Sequence, residues 1–288
     1  MNISEIRHFE KLASNGHAAL EAKEYEGWEL RFSKGYTNRV NSISILGPAV
    51  TDINEAVEKK LSICENEYKL KGLPCIFKLT DADKTFSDYL EKRGYVVVTP
   101  TDLMTLDLCK EEISIDTSYD VFSYTKIRGN IVDIVFSSEP DDWYEDYFEF
   151  EGVKDESERE LCKKIHSKVT VEKIYIKLLF NGKSAAVASL AIEDGYSLLQ
   201  NVVVAPKYRR LGFGKKLCMA AIDKSKKCGL KCSYLQVIQD NEAALNLYKK
   251  LGYEKVYSYW YMRKGEPVKP SKPYALKKST ESETEILY

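Results

Sequence analysis

The sequence has no run of apolar residues long enough to cross a membrane, and it has no excess of charge of either sign. Its 288 residues carry 43 Lys and Arg against 44 Asp and Glu, a net charge of −1. A membrane-spanning helix needs about 18 consecutive apolar residues, and a dedicated nucleic-acid binder needs a strong basic excess. We therefore expect neither a membrane nor a nucleic-acid partner. The N-terminus also lacks the pattern of a signal peptide.

Histidine is scarce and cysteine is dispersed. There are three His and seven Cys, and no two cysteines form a Cys-x-x-Cys pair. Zinc sites and disulfide frameworks both rely on closely or regularly spaced Cys and His. The sequence therefore predicts no metal site and no disulfide framework, but reduced thiols in a cytoplasmic protein.

A hydrophobic content of 44% and 30% charged residues predict a folded chain of one large domain or, more readily, two. Apolar periodicity and turn residues predict the order of elements. In the first half we expect a helix over 2–15, strands over 26–33 and 38–46, a helix over 52–70, a strand over 74–79, a helix over 82–93 and a strand over 95–107 broken at Thr99-Pro100. In the second half we expect strands over 172–180, 184–193 and 196–204, a helix over 212–227, a strand over 232–238, a helix over 241–251 and a strand over 253–262.

The two halves resemble each other in sequence. The segment 89–95, Tyr-Leu-Glu-Lys-Arg-Gly-Tyr, is similar to the segment 247–253, Leu-Tyr-Lys-Lys-Leu-Gly-Tyr, at an offset of 158 residues from Gly94 to Gly252. The preceding strands align at the same offset. A constant offset over strand, helix and strand indicates a duplicated unit.

The most informative segment is the turn that follows the strand 196–204. It contains Gly212 and Gly214 just where a helix begins, and the stretch 207–231 holds nine Lys or Arg and one acid, Asp223. The start of a helix offers unpaired N–H groups and the positive end of the helix dipole, which favour a phosphate. Glycine lets the backbone approach such an anion closely. The segment therefore predicts a site for a polyanionic ligand.

This segment also carries a family resemblance. Arg209-x-x-Gly212-x-Gly214, followed by Asn241-x-x-Ala244-x-x-x-Tyr248-x-x-x-Gly252-Tyr253, resembles the GNAT family of acyl-CoA-dependent N-acetyltransferases over about residues 120–263. The first half resembles the N-terminal domain of tandem GNAT proteins through the segments 27–32 and 35–42. It lacks an Arg-x-x-Gly-x-Gly motif, and Leu90 stands opposite Tyr248, so we expect it to have no working site of its own.

The resemblance implies an α+β fold of two tandem GNAT-like domains with mixed, mainly antiparallel sheets flanked by helices. The implied boundaries are 1–110 for the degenerate domain, which is structural or shapes the acceptor site, 111–263 for the catalytic domain and 264–288 for a polar tail. The implied cosubstrate is acetyl-CoA, with no metal, and the implied partner is a small-molecule or peptide amine. A monomer and a homodimer both stay open.

The resemblance also implies the roles of individual residues. The backbone of the strand end would pair with the pantetheine arm, backbone N–H groups of the turn would hold the pyrophosphate, and the helix that follows would supply an amide and a phenol. The residues that it places at the cofactor are Val202, Val203, Val204, Arg209, Arg210, Leu211, Gly212, Phe213, Gly214, Lys215, Asn241 and Tyr248.

The chemistry of such a site is direct attack of an amine on the thioester in a ternary complex. The oxyanion needs N–H donors, which we expect at Val203 or Val204. The leaving thiolate needs a proton, and we assign its donation to the Tyr248 phenol. A base for the amine is harder to find, because Gln236 occupies the position where some relatives carry a glutamate. Glu193, Asp194, Glu242 or an acid within 139–152 are open alternatives.

Two further segments have either a functional or a structural interpretation. The segment 139–152 combines seven acids with aromatic residues. In the functional interpretation it lines the acceptor site and attracts a cationic amine, and in the structural interpretation it is a solvated amphipathic helix with its aromatic residues in the core. The turn 35–39, Gly-Tyr-Thr-Asn-Arg, faces an acceptor cleft between the domains or stabilises their contact. The missing carboxylate at Gln236 keeps a non-catalytic acyl-CoA-binding or sensing protein as the alternative function.

Overall fold

The computed structural model describes residues 1–110, 125–127 and 130–264. The helices of this part of the chain are α1 Ile3–Gly16, α2 Glu55–Leu70, α3 Lys84–Lys92, α4 Trp143–Glu151, α5 Glu156–His166, α6 Phe213–Lys227 and α7 Glu242–Lys250. The strands are β1 Glu21–Tyr25, β2 Trp28–Phe32, β3 Ile43–Ile45, β4 Ile76–Thr80, β5 Tyr95–Asp107, β6 Thr125–Ile127, β7 Asn130–Ser137, β8 Glu172–Phe180, β9 Lys183–Glu193, β10 Tyr196–Val204, β11 Cys232–Ile238 and β12 Glu254–Lys264. Single 3₁₀ turns cover Asn38–Val40, Asp81–Asp83 and Pro206–Tyr208.

All of these strands form one sheet in the order β1-β2-β3-β4-β12-β5-β11-β10-β9-β8-β7-β6. Two of its pairings, β3 with β4 and β10 with β11, are parallel, and the other nine are antiparallel. A parallel neighbour requires a crossover, and α2 and α6 make the two crossovers. The predicted α+β fold with a mixed, mainly antiparallel sheet and flanking helices is confirmed.

The repeat that the sequence indicates is visible in the order of elements. Each half contains a strand, a crossover helix, a parallel strand, a short helix and a final strand: β3-α2-β4-α3-β5 and β10-α6-β11-α7-β12. The short helices α3 and α7 are both nine residues long, and their bounds are offset by the same 158 residues as Gly94 and Gly252. Both glycines have a positive φ, 80° and 87°, just after the short helix, a conformation that glycine adopts without strain.

The final strand of each half lies inside the other half. Strand β12 lies between β4 and β5, and β5 lies between β12 and β11. Tyr259 of β12 is paired with Thr80 of β4, and Leu235 of β11 is paired with Met104 of β5. The two halves therefore share backbone hydrogen bonds as well as side-chain contacts.

Helix α1 packs over these shared strands. Its apolar face, with Ile6, Phe9 and Leu12, belongs to one buried cluster with residues of β5, β10, β11 and β12. Within that cluster the Glu10 carboxylate binds Lys78 Nζ at 2.6 Å and accepts a hydrogen bond from the Tyr257 hydroxyl at 2.8 Å. Since Lys78 belongs to β4 and Tyr257 to β12, the helix ties strands of both halves together.

The structure differs from the sequence-based expectation in the first half. Strand β1 was not expected, and the expected strand over 38–46 is a 3₁₀ turn followed by the three-residue strand β3. Helix α2 begins at Glu55 rather than near Asp52, because the Asn54 side chain accepts a hydrogen bond from Val57 N at 3.2 Å and caps the helix. The expected break at Thr99 is a φ of 52° inside a continuous β5, next to a register shift against β12.

The expected polar tail lies, apart from Lys264, outside the described residues, as do residues 111–124 at the start of the expected catalytic domain. No helix of the described residues is both long enough and apolar enough to cross a membrane.

Candidate functional site

The site begins where the parallel strands β10 and β11 part. Their pairing covers three residues of β10, from Tyr196 to Leu198, and ends there. Strand β10 instead follows β9, with a register shift between Gln200 and Val203 and a positive φ of 55° at Asn201. A bulge of this kind bends a strand away from its neighbour. The β11-facing edge of residues 202–204 is therefore open to pairing with an extended ligand.

The turn after β10 is held in place by aromatic side chains. Phe213 is 2% exposed and lies against Phe180 and Tyr208, with ring centroids at 5.2 and 6.1 Å. Pro206–Tyr208 form a 3₁₀ turn, and Arg209 Nε donates to the Val204 carbonyl at 3.2 Å. The residues between these anchors, Arg209 to Gly212, are exposed, so the turn has a fixed base and an accessible surface.

The glycines of the turn have different reasons to be glycine. Gly212 has a φ of 81° and precedes α6 without any side-chain cap, and a Cβ there would meet nothing within 4 Å. It is needed for its backbone conformation. A Cβ on Gly214 would lie 3.5 Å from Val204 Cγ2 and 3.6 Å from Leu247 Cδ2, which is ordinary contact. Packing therefore does not require glycine at 214, and the free space there is available to a ligand.

Gly214 also shows that three elements meet at one point. Val204 belongs to β10, Gly214 to the first turn of α6 and Leu247 to α7. The first N–H groups of α6 have no partner within their own helix, and Arg209, Arg210 and Lys215 are exposed around them. The structure thus brings together the open strand edge, the basic turn and the helix that carries Asn241 and Tyr248.

Asn241 and Tyr248 lie at opposite ends of α7. The Asn241 Oδ1 accepts a hydrogen bond from Ala244 N at 3.1 Å and caps the helix, which leaves the side-chain NH₂ to donate to a ligand. Tyr248 is 9% exposed and packs in the core with α6. Burial raises the pKa of Tyr248 well above its usual value of 10, and the neighbouring Cys218 and Tyr253 raise it further. The phenol is therefore protonated at neutral pH.

The acidic residues expected near the acceptor are largely paired within the second half. Lys177 binds Asp142 at 2.8 Å and Asp146 at 2.5 Å, and Glu145 binds Lys163 at 2.9 Å. The aromatic residue Trp143 is 1% exposed and donates its indole N–H to the Ala188 carbonyl at 2.9 Å. The segment is an amphipathic helix with its aromatic residues in the core, which favours the structural interpretation.

The candidate bases lie in different places. Glu193 pairs with Tyr196 at the hairpin end of β10, and Asp194 follows it in the turn. Val203 is seven residues further along the strand, roughly 23 Å at 3.3 Å per residue, so both acids lie far from the expected oxyanion donors. Glu242 is exposed in the first turn of α7 and stays a candidate. Gln236, the residue at the expected base position, has both side-chain polar atoms buried without a partner.

The turn 35–39 of the first half reaches the second half. Tyr36 packs against a buried cluster that includes Trp143 and Val203. In the first half itself, Leu90 is fully buried at the position opposite Tyr248. The contact of Tyr36 joins the two halves, as the structural interpretation of this turn expects. That the turn also faces an acceptor cleft stays a prediction.

The comparisons with known proteins agree with this geometry. The Acetyltransferase (GNAT) family matches residues 138–253. The chain is 28% identical to the uncharacterized N-acetyltransferase YobR of Bacillus subtilis (strain 168) over 261 residues, 90% of this chain and 98% of the relative. It is 38% identical over 77 residues to the [ribosomal protein bS18]-alanine N-acetyltransferase of Escherichia coli (strain K12), a stretch that covers 27% of this chain and 52% of that enzyme.

Solved structures share the fold over most of the chain. A GCN5-related N-acetyltransferase from Kribbella flavida superposes with a TM-score of 0.64 at 15% identity and covers 93% of this chain and 97% of its own. A tandem GNAT protein from the clavulanic acid biosynthesis pathway superposes with a TM-score of 0.60 at 13% identity and covers 78% of this chain and 76% of its own. The resemblance seen in the sequence is confirmed, since residues 138–253 of this chain match the Acetyltransferase (GNAT) family.

Proposed function

We propose that the protein transfers the acetyl group of acetyl-CoA to an amine by direct attack in a ternary complex. The observation that carries this proposal is the meeting of Val204, Gly214 and Leu247, which joins the open edge of β10, the start of α6 and α7 at one point. In the GNAT family, acyl-CoA is the cosubstrate, and the shape of this site suits its two chemical parts: an extended arm and a pyrophosphate.

The arm and the pyrophosphate would use different backbone groups. The pantetheine arm pairs with the β11-facing edge of β10 at Val202 and Val204, and the Asn241 amide donates to it. Backbone N–H groups from Arg209 to Lys215 hold the pyrophosphate, because the helix start is positive and its N–H groups are unpaired. The side chains of Arg209, Arg210 and Lys215 add positive charge around it.

The reaction then needs two groups of this chain. The amine nitrogen forms a bond to the thioester carbonyl carbon, and the oxyanion is stabilised by the N–H of Val203 or Val204. The C–S bond breaks, the thiolate takes the Tyr248 phenolic proton, and the nitrogen releases its extra proton to solvent. Tyr248 is reprotonated from solvent, so that acetyl-CoA and amine give amide and free CoA.

The test of this proposal measures free thiol released from acetyl-CoA in the presence of a panel of amines. We expect release that depends on both substrates, with mass spectrometry showing one added acetyl group on the amine. Tight binding of acetyl-CoA without any amine-dependent thiol release would instead support the non-catalytic acyl-CoA-binding or sensing function. The uncharged Gln236 at the expected base position is the observation that favours this alternative.

The domain roles follow from the same proposal. Residues 1–110 form the degenerate unit, residues 111–263 form the catalytic unit, and residues 264–288 form a polar tail. The first unit shapes the acceptor side, because Tyr36 packs against the buried cluster that contains Val203. We further propose that the protein acts in the cytoplasm as a monomer or homodimer.

A further inference from the structure

The C-terminal end of α1 is a place where both halves of the protein converge. An Arg31 guanidinium N–H from β2 donates to the His17 carbonyl, and the Gln200 amide from β10 donates to the Gly16 carbonyl at 3.4 Å. In the sheet order, β3, β4, β12, β5 and β11 lie between β2 and β10. The end of α1 therefore connects β2 of the first half with β10, near the residues where β10 diverges from β11.

This place holds buried polar atoms with no partner. Leu198 and Tyr234 are the last residues that pair between the parallel strands β10 and β11. Gln200 lies two residues beyond Leu198, and Gln236 lies two residues beyond Tyr234. Because side chains alternate along a strand, both amides are on the same face of the sheet. Gln200 is 7% exposed, and its Oε1 is unpartnered, as are both polar atoms of Gln236. Buried polar groups are nearly always hydrogen-bonded, so these amides point to a polar ligand.

His17 adds a third such atom. Its Nδ1 lies 3.1 Å from the Ala13 carbonyl, which is an acceptor only, so Nδ1 carries the proton and Nε2 carries a lone pair. Nε2 is buried without a partner. Burial lowers the pKa of His17 well below its usual value, and the charges of Arg39, Lys173 and Arg31 lower it further. The imidazole is therefore neutral at pH 7 and accepts a hydrogen bond.

The charges that lower the pKa of His17 are positive, although the Glu193 carboxylate accepts a hydrogen bond from Asn15 at 2.8 Å near the same end of α1. Arg31 is partly balanced by Glu29 at 3.7 Å. Lys173 is partly buried and pairs with Ala191 of β9, whose Cβ lies 3.2 Å from the position of a Cβ on Gly16, so Lys173 lies near the end of α1. Its charge has no carboxylate partner among the described residues, whereas Lys177 on the same strand binds two carboxylates. Burial lowers the pKa of Lys173 to about 8. A buried cation without an anion is costly, and a bound carboxylate would remove that cost.

We propose that the acceptor is a small amine that carries a carboxylate, of which an amino acid is the simplest example, and that Lys173 and Arg39 select it. The amine N–H groups donate to the unpartnered acceptors His17 Nε2, Gln200 Oε1 and Gln236 Oε1, and the carboxylate lies toward the two cations. This inference rests on the proposed acetyltransferase function. It also gives the first half a role, because His17 and Arg39 both belong to it.

The experiment compares matched acceptors, each amino acid against its primary amide, with kcat/KM expressed per unprotonated amine. It uses wild type, Lys173→Met and the control Lys177→Met, which removes a lysine from the same strand outside the cluster. We expect wild type and the control to favour the carboxylate form by about tenfold or more, since a buried charge partner contributes strongly to binding. Lys173→Met should lose this preference and keep its thermal shift with acetyl-CoA.

The outcomes separate the inference from the function on which it rests. Lys173→Met should fold, because it removes an unpaired buried charge, and a raised Tm of the free protein would show the cost of that charge. Equal use of both acceptor forms by wild type, or an unchanged preference in Lys173→Met, overturns the inference and leaves the acetyltransferase function standing. Absence of thiol release with every amine overturns both.

Discussion

Replacement of Gly214 by alanine separates folding from cosubstrate binding. The added methyl would lie 3.5 Å from Val204 Cγ2 and 3.6 Å from Leu247 Cδ2, at ordinary contact distance from both. Gly214 is in the first turn of α6, where alanine is favoured over glycine by up to about 1 kcal/mol. The free protein should therefore unfold at the same temperature as wild type or slightly above it.

Binding should respond in the opposite direction. The methyl fills the space between β10 and α7 that we assign to acetyl-CoA. A ligand at 100 times its Kd adds about 2.7 kcal/mol of stability, and a tenfold loss of affinity reduces this to about 1.4 kcal/mol. We expect Gly214→Ala to lose at least half of the stabilisation that acetyl-CoA gives to wild type.

The assay is thermal unfolding with and without acetyl-CoA, supported by titration calorimetry. Lys227→Ala, in the last turn of the same helix, is the control for substitutions in α6 that lie away from the turn. Wild-type affinity in Gly214→Ala would refute the placement of the cosubstrate beside Gly214, whatever the stability of the variant.

Three further predictions concern the phenol, the ion pair under α1 and a buried histidine. Tyr248→Phe should lower kcat strongly and leave the affinity for acetyl-CoA unchanged. The control is Tyr253→Phe, which removes a hydroxyl that bonds Ser233 at 2.7 Å and should keep its turnover. Equal losses of kcat and affinity in Tyr248→Phe would contradict the role of Tyr248 as proton donor. Glu10→Gln leaves Lys78 as an unpaired buried cation and should cost about 3–5 kcal/mol in urea unfolding; a loss below about 1 kcal/mol would show that the pair is replaceable. Burial lowers the pKa of His166 to about 3, and the charge of Lys173 adds to the effect. Below pH 6.5 this histidine is therefore protonated in the unfolded state but not in the folded state. The free energy of unfolding falls as the pH drops from 6.5 toward 3. His166→Gln should remove about 2 kcal/mol of the stability lost between pH 6.5 and pH 5; an identical pH profile in the variant would show that this histidine is not the source.

The second half was predictable because its signals are local. The bounds of β8, β10 and β11 agree with the expected strands, and α6 begins one residue after Gly212. A β-branched strand, a glycine turn and an amphipathic helix each leave a pattern within a few residues. The family motif depends on the same segment, so the candidate cosubstrate site was located by the sequence as well.

The first half and the acceptor side were less predictable because their signals are not local. No periodicity shows that β12 lies between β4 and β5, since this exchange is decided by contacts between residues far apart in the chain. The short strand β3 and the 3₁₀ turn before it carry too few residues for a pattern. His17 is an ordinary residue at the end of a helix until the sheet brings β10 and Arg31 against it.

The most direct test of the account compares acetyl-CoA with acetyl-pantetheine, which keeps the thioester and the arm but lacks the pyrophosphate. We expect millimolar acetyl-CoA to raise the Tm clearly and acetyl-pantetheine at the same concentration to raise it much less, because the start of α6 holds the pyrophosphate. An equal rise in Tm with both ligands, or no rise with acetyl-CoA, would contradict the claim that Arg209–Lys215 bind the pyrophosphate of acetyl-CoA.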